Sequence, residues 1–192
     1  MRYRLDYTTN VDTGMPKRYW NKYLDEITPL NDEQKTCIEK LMQVGRGQWW
    51  SLVILGTVGN GKTTLACGLI SQWTYSHPWG AVYVTQESLI DRCRGTFSDD
   101  STMSESTLLS KYMNCDLLVI DELTVRGWSD YARSTVQKIL SYRHGNKLRT
   151  VVIGNLDTET FKGMFDEHIL SRLREGETQI MKADDMRVHG EF

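Results

Sequence analysis

Eight consecutive residues have the types and spacing that bind a chain of phosphates. Residues 56–63 are Gly-Thr-Val-Gly-Asn-Gly-Lys-Thr, which satisfies the pattern G-x-x-x-x-G-K-[ST] between a strand pattern and a helix pattern. The glycines let backbone N–H groups point at phosphate oxygens, Lys62 can reach the β and γ phosphates, and the Thr63 hydroxyl can complete a Mg²⁺ shell. A plain glycine turn is the disfavoured alternative. The predicted nucleotide-binding residues are Gly56, Thr57, Val58, Gly59, Asn60, Gly61, Lys62, Thr63 and Thr64.

Two acids follow an apolar run later in the chain. Residues 117–120 are Leu-Leu-Val-Ile, and Asp121 and Glu122 come directly after them, which is a Walker B pattern. Because the carboxyl ends of parallel strands meet at one edge of a sheet, these acids are predicted beside the phosphate loop. Asp121 is then expected to share Mg²⁺ with Thr63, and Glu122 to orient and deprotonate the attacking water. A strand that ends in solvated acids is the alternative.

Two further polar residues could stabilise the transition state of hydrolysis. Asn155 follows the apolar run 151–153 and could hydrogen-bond the attacking water or the γ phosphate, provided that the fourth strand lies between the first and third. Otherwise Asn155 caps a turn. Arg172 is a candidate arginine finger, a group commonly supplied by a neighbouring subunit, whereas Arg174 is interpreted as an ordinary exposed arginine. A base next to the metal carboxylate predicts hydrolysis rather than transfer to a metabolite.

These residues require elements that bring them to one sheet edge. Apolar runs that predict strands alternate with stretches that predict helices, which indicates a parallel sheet covered on both faces. The predicted strands are 50–55, 81–85, 117–120, 150–153 and 178–181. The predicted helices are 31–45, 62–73, 87–94, 105–113, 129–142 and 157–174, the last broken near Glu167. The predicted fold is α/β, a P-loop NTPase with three αβα layers around a five-stranded parallel sheet.

The composition narrows the class of protein. The 192 residues are 40% hydrophobic and 25% charged with a formal net charge of −2, which fits a globular domain and excludes a histone-like polycation. No apolar run approaches the roughly 20 residues that cross a bilayer. The N-terminus lacks a secretory pattern, and four cysteines without a CxxC pair indicate reduced thiols. A cytoplasmic protein is expected.

The first thirty residues differ from the rest. They show no clear period, carry Gly14, Pro16 and Pro29 as breakers, and interleave basic with aromatic residues. Such interleaving can stack on bases, but aromatic packing on the core is favoured. The predicted organisation is an N-terminal arm, 1–30, to which no role is assigned, and an ATPase core, 31–192.

In their order along the chain, these motifs resemble the AAA+ core of the DnaC-type helicase loaders, a group that also includes the IstB-type transposase helper ATPases. The resemblance covers about residues 15–181. The matching stretches are MPKRY before the core, LVILGTVGNGKTTLACGLI at the phosphate loop, LLVIDELTV with the helix 131–143 at the acidic strand, VVIGNL at sensor 1 and ILSRLREG at the arginine-finger box. The combination is specific, although each later motif is weak by itself.

The resemblance implies an AAA+ ATPase of DNA replication. Such a protein binds ATP and Mg²⁺, assembles on a replicative hexameric helicase and helps to place it on single-stranded DNA. Self-association in an ATP-dependent oligomer is also implied, and turnover by isolated monomers should be slow because Arg172 would act across a subunit boundary.

The resemblance also suggests where DNA is contacted. In the family an element between the second and third strands meets single-stranded DNA; here it corresponds to residues 88–115, with Arg92, Arg94 and Lys111 as candidate contacts. Several acids oppose this interpretation: Asp91, Asp99, Asp100 and Glu105. A second basic turn contains Arg143, Lys147 and Arg149 and is interpreted as a solvated loop.

Two departures from the family pattern affect the expectations. The family's helicase-binding N-terminal domain does not fit into 30 residues, so docking would use the arm, the core or another chain. Eleven residues follow Met181, so no full C-terminal lid is expected, and Arg187 is the candidate sensor 2 arginine for nucleotide binding. A core of this size would suit a phage or prophage replication protein.

Three other functions stay open at this point. A transposase helper of the same family would grow filaments on duplex DNA. A small-molecule P-loop kinase would need an acceptor for the phosphate, and it leaves Asn155 and the Ser-Arg-Leu-Arg stretch unexplained. An ATP-switched adaptor without catalysis would bind ATP tightly and hydrolyse it only at background.

Overall fold

The fold is organised around one parallel sheet. The structure is a computed structural model that describes residues 13–77, 80–98 and 102–182. Its strands are β1 (Ser51–Gly56), β2 (Ala81–Thr85), β3 (Leu117–Leu123), β4 (Arg149–Gly154) and β5 (Glu177–Met181). They lie in the order β2-β3-β4-β1-β5, and every neighbouring pair is parallel. The predicted five-stranded parallel sheet is confirmed.

Seven α-helices connect the strands in the described residues, and their starts follow local capping rules. They are α1 (Asp32–Gly45), α2 (Lys62–Ser76), α3 (Gln86–Gly95), α4 (Glu105–Asn114), α5 (Asp130–Gly145), α6 (Thr158–Met164) and α7 (Glu167–Leu173). Six begin at a side chain that accepts from a backbone N–H: Asn31, Thr85, Ser104, Ser129, Asp157 and Asp166. The exception is α2, which begins at Gly61 and has no side-chain cap. Its first N–H groups therefore face the phosphate loop, where an anion can accept from them.

The long helix predicted over residues 157–174 is two helices. Phe165 is extended between α6 and α7, with φ −119° and ψ 155°, and Asp166 caps the second helix. The break lies within two residues of the predicted position at Glu167.

The sheet has helices on both faces. Alternate residues of each strand point to opposite sides, so Leu52 and Ile54 pack toward α1 and α2, while Val53 and Leu55 pack toward α3 to α7. The three-layer αβα fold is confirmed, with a hydrophobic core on each side of the sheet.

The N-terminal residues that the structure describes pack on the first of these cores. Met15, Tyr19 and Leu24 are buried among side chains of α1, α2 and the sheet, which confirms the packing interpretation for this part of the arm. The Tyr83 N–H donates to the Thr13 carbonyl at 2.7 Å. Thr13 thereby covers part of the outer edge of β2, the last strand on that side.

The cysteines and the helices agree with the compositional expectations. All four cysteines are free thiols, and burial raises the pKa of the Cys37 thiol to about 12, so that it stays protonated. In the described ranges, none of the helices is both long and apolar enough to cross a bilayer.

Candidate nucleotide-binding site

The phosphate loop needs its glycines for conformational and steric reasons. Gly56, Gly59 and Gly61 have φ values of 138°, 85° and 90°, which side-chain-bearing residues rarely adopt. A Cβ on Gly56 would also lie 1.8 Å from the Met181 carbonyl oxygen. A cavity of about 210 Å³ lies at the loop and is bounded on other sides by Glu122 and Asn155.

Lys62 and Asn60 fix the shape of the loop. The Lys62 ammonium is buried and donates to the Gly56 carbonyl at 3.1 Å, to the Thr57 carbonyl and to Asn60 Oδ1 at 3.0 Å. The Asn60 amide donates to the Met181 carbonyl at 2.6 Å, so the end of β5 anchors the loop. The positive charge of Lys62 is thus held at the cavity in which phosphates are predicted to bind.

Gln34 connects α1 to the same loop, a contact that the capping pattern did not predict. Its side-chain oxygen accepts from the Leu30 N–H at 2.9 Å, and its amide donates to the Asn60 carbonyl at 3.1 Å. The sequence marks Gln34 only as a capping-box residue. The hydrogen bond to Asn60 depends on how α1 packs against the loop, and a capping pattern gives no information about that packing.

Asp121 and Thr63 meet as the spacing predicted. The Thr63 hydroxyl donates to Asp121 Oδ2 at 2.8 Å, and the Glu122 N–H donates to Asp121 Oδ1 at 2.6 Å. A third donor, the Tyr83 hydroxyl, lies 2.9 Å from Oδ2. Hydroxyl and carboxylate oxygens beside a phosphate-binding loop are the donor types that suit Mg²⁺. The residues present therefore fit this ion.

Glu122 owes its direction to a β-bulge. The register against β4 shifts between Ile120 and Leu123, so that β3 carries one extra residue there. Glu122 adopts a left-handed conformation with φ 56°, and its exposed side chain lines the cavity while Asp121 stays buried. Bulges commonly redirect a side chain next to an active site. The two neighbouring acids thus face different surroundings.

These surroundings raise the pKa of the Glu122 carboxyl. Partial loss of hydration at the cavity is the main cause, followed by the negative charges of Asp121 and Glu87, while the Arg18 guanidinium acts in the opposite direction. A carboxylate with a raised pKa is a stronger base than a solvated one.

If Glu122 is the general base of ATP hydrolysis, as the sequence predicts, the rate should fall on acidification at a higher pH than an ordinary glutamate would cause. A general base works in its ionised form, so activity is present above the Glu122 pKa and is lost as the pH falls through it. The measurement is kcat/KM for ATP as a function of pH, which reports the groups of the free protein, with nucleotide affinity followed on the same samples. An acid limb at or below the ordinary value of 4.5 would contradict this assignment.

The strand order satisfies the condition set for Asn155. Strand β4 lies between β1 and β3, and Asn155 follows it directly, exposed and lining the same cavity as Glu122. An amide is therefore present at the cavity that Lys62, Thr63 and Glu122 also line.

Arg172 lies far from the loop of its own chain. Trp50, which precedes β1, donates its indole N–H to the Arg172 carbonyl at 3.1 Å. Trp50 precedes β1 and Gly56 ends it, so the contact involves a residue at the opposite end of the strand from the loop. Arg172 is half-buried, whereas Arg174 is exposed and pairs with Glu167 on α7. This placement suits Arg172 to a neighbouring molecule and supports the ordinary interpretation of Arg174.

The candidate DNA contacts lie on α3 and α4 and are exposed. Arg92 donates to the Tyr112 hydroxyl at 3.4 Å, and Arg94 lies 3.9 Å from Asp91 in an ion pair. Lys111 is on α4. Asp99, Asp100 and the sensor 2 candidate Arg187 lie outside the described residues.

Sequence reasoning missed two other residues of the site. Arg18 lines the cavity and stacks over the Tyr19 ring, with its guanidinium carbon 4.7 Å from the ring centroid. The MPKRY stretch could have indicated Arg18, because it contains this residue and resembles a segment of the family. Tyr83 had no such signal, since a tyrosine in an apolar strand is usually a core residue.

Comparison with known proteins places this geometry in a family. The family model described as IstB-like ATP binding protein matches residues 39–174. The replicative helicase loader DnaC of Buchnera aphidicola subsp. Acyrthosiphon pisum is 31% identical over 167 residues, which are 85% of this chain and 68% of that protein. The chain spans about half the length of other curated DnaC relatives.

Solved structures support the same fold. A crystal structure of the DnaC helicase loader matches with a TM-score of 0.73 at 23% identity, covering 87% of this chain and all of that chain. The replication initiator DnaA bound to AMPPCP and single-stranded DNA matches with a TM-score of 0.71 at 15% identity. The match covers 88% of this chain and 51% of that chain. With its phosphate loop, Walker B strand and these similarities, the chain belongs to the IstB-like AAA+ ATP-binding family that includes the DnaC helicase loaders.

Proposed function

We propose that this protein is an ATPase of DNA replication that loads a replicative hexameric helicase onto single-stranded DNA. The observation that carries the ATPase part is the uncapped start of α2 beside Lys62, with the Thr63–Asp121 pair and Glu122 at the same cavity. The loader part rests on the relatives named replicative helicase loaders, which favour this role over a transposase helper. A helicase loader would act in the cytoplasm.

In the proposed mechanism, backbone N–H groups of residues 56–63 and the Lys62 ammonium bind the phosphates of ATP. Thr63 and Asp121 would hold Mg²⁺, and the ion would supply positive charge that offsets the negative charge of the phosphates. Glu122 accepts a proton from the attacking water, and Asn155 orients that water or the γ phosphate. Arg18, at the edge of the cavity, adds a positive charge from the N-terminal segment.

The proposed oligomer completes the site. The Arg172 carbonyl accepts from Trp50, which precedes β1, whereas the phosphate loop follows β1, so we assign Arg172 to the γ phosphate bound by a neighbouring subunit. Arg92, Arg94 and Lys111 are proposed to contact the phosphates of single-stranded DNA. ATP binding, oligomer assembly and DNA contact would then be coupled through the subunit interface.

If each ATPase site is formed by two neighbouring subunits, two variants with different defects should restore each other's activity when mixed. Arg172→Ala has an intact phosphate loop but lacks the arginine, and Lys62→Ala has the arginine but a defective phosphate loop. Neither variant alone should therefore hydrolyse ATP well. A 1:1 mixture is expected to recover about a quarter of the wild-type rate, because random pairing combines the two intact halves at one interface in four. The measurement is ATP hydrolysis against protein concentration, with and without single-stranded DNA.

The control variant is Arg174→Ala, since Arg174 pairs with Glu167 on the surface. It should hydrolyse ATP at the wild-type rate. The absence of recovery in the mixture, together with a wild-type rate per molecule that does not change with concentration, would remove Arg172 from the proposed site. A flat background rate under every condition would instead favour the ATP-switched adaptor. Formation of ADP that depends on an added acceptor, which becomes phosphorylated, would favour the kinase.

A further inference from the structure

Tyr83 contacts the proposed metal carboxylate from the neighbouring strand. Its position on β2 pairs with Val119 on β3, and Asp121 is two residues farther along the same face. An aromatic side chain reaches such a diagonal neighbour. The Tyr83 hydroxyl accordingly donates to Asp121 Oδ2 at 2.9 Å.

Three groups donate hydrogen bonds to the Asp121 carboxylate: the Tyr83 hydroxyl, the Thr63 hydroxyl and the Glu122 N–H. Oδ2 accepts from both hydroxyls, at 2.9 and 2.8 Å, which uses both of its lone pairs. Oδ1 accepts from the Glu122 N–H at 2.6 Å and keeps one lone pair. The Thr63 hydroxyl donates its hydrogen bond to Asp121 and keeps its own lone pairs for a cation. The carboxylate is thereby held in one orientation.

The phenol is an unusual choice for this position unless the hydroxyl is used. The surroundings are an apolar cluster that includes Val119 and Cys67, in which an aliphatic side chain would pack without a polar group. A buried hydroxyl in such surroundings needs a hydrogen-bond partner, and Asp121 Oδ2 is that partner here.

The backbone of Tyr83 is also fixed from outside the sheet. Its N–H donates to the Thr13 carbonyl at 2.7 Å. Gly14 packs so closely that a Cβ there would lie 2.7 Å from the Tyr83 carbonyl oxygen. The described N-terminal segment therefore clamps the strand residue that holds Asp121.

We propose that Tyr83 is a positioning residue for Mg²⁺ binding: its hydroxyl fixes the Asp121 carboxylate so that Thr63 and the remaining lone pair of Oδ1 face the ion. The inference rests on the proposed function, because it requires that Thr63 and Asp121 hold Mg²⁺. Partners that orient a metal ligand typically change metal affinity by about 10-fold to 100-fold when they are removed.

The test is Tyr83→Phe, which removes only the hydroxyl. The Mg²⁺ concentration that half-saturates tight binding of a fluorescent ATP analogue is expected to rise by about 10-fold. Binding of the analogue in the presence of EDTA should not change, since the phosphate loop is intact. Thermal unfolding of both proteins shows whether the variant is folded at the assay temperature.

Tyr112→Phe is the matched control. Tyr112 is also a buried tyrosine, in the hydrophobic core on the other face of the sheet, and its hydroxyl accepts from Arg92. It should leave the Mg²⁺ requirement unchanged. Equal Mg²⁺ requirements for Tyr83→Phe and the wild-type protein, or equal shifts in both tyrosine variants, would overturn the positioning role. A wild-type protein that binds the analogue equally with and without Mg²⁺ would refute the proposed metal site, and the role of Tyr83 with it.

Discussion

Glu122→Gln is expected to bind ATP with wild-type affinity and to hydrolyse it about 1,000-fold more slowly. Glutamine has the same size and can occupy the same bulge, but its amide cannot accept the proton of the attacking water. The phosphate loop and the Thr63–Asp121 pair do not depend on the Glu122 side chain, since Asp121 accepts from the Glu122 backbone. Binding and chemistry should therefore separate in this variant.

The measurements are the affinity for ATP at equilibrium and the hydrolysis rate at saturating ATP. Glu87→Gln is the matched control, because Glu87 is an exposed acid close enough to raise the Glu122 pKa and has no proposed catalytic role. It should hydrolyse ATP at nearly the wild-type rate at neutral pH. Unchanged hydrolysis by Glu122→Gln would exclude Glu122 as the base.

The parts of the fold that the sequence predicted are those set by neighbouring residues. Strands β1 to β4 appear where continuous apolar runs lie, and Asn31 caps α1 because its side chain accepts from the Gln34 N–H at 2.8 Å. The phosphate loop is equally local, since its pattern contains both the glycines and the cation. The meeting of Thr63 and Asp121 followed from one topological rule, that parallel strands end at the same sheet edge.

The parts that the sequence did not predict depend on contacts between distant segments. The Gln34–Asn60 and Tyr83–Asp121 hydrogen bonds join residues far apart in the chain, and each residue fits its own element without them. The bulge at Glu122 is set by the pairing of β3 with β4. The apolar pattern of β3 predicts a strand, but it does not predict the register in which this strand pairs with β4.

Arg143 is the clearest correction to the sequence interpretation. A solvated basic turn was expected at Arg143, Lys147 and Arg149, and the expectation is wrong for two of the three. Arg143 is completely buried at the end of α5, and the Arg149 guanidinium lies over the Trp73 ring at 4.7 Å. Lys147 is exposed as expected. Charge along the chain does not reveal which arginine finds buried acceptors.

The Arg143 guanidinium joins the end of α4 to the start of β4. It donates to the backbone carbonyls of Tyr112, Met113 and Cys115 at 2.9, 3.2 and 2.7 Å. On its other side it donates to Thr150 Oγ1 at 2.8 Å and to the Arg149 carbonyl at 2.6 Å. A planar group with five donors satisfies this set, which a single ammonium could not span.

Arg143→Met is expected to lower the free energy of unfolding by about 3–5 kcal/mol, because several buried carbonyls lose their donor at once. Folded domains are stabilised by only about 5–15 kcal/mol, so much of the variant could be unfolded. Chemical denaturation measures the change. Arg143→Lys provides a second, milder variant, since lysine retains part of the donor set and should fall between Arg143→Met and the wild-type protein.

Arg133→Met is the matched control, because Arg133 is exposed on the same helix and undergoes the same change of side chain. Its effect should stay within about 0.5 kcal/mol. A loss of under about 1 kcal/mol for Arg143→Met would show that water or relaxation satisfies the carbonyls of α4 as well as the guanidinium does. A large loss confined to Arg143 would instead make it the polar link between α4, which carries the DNA candidate Lys111, and strand β4, which leads to Asn155.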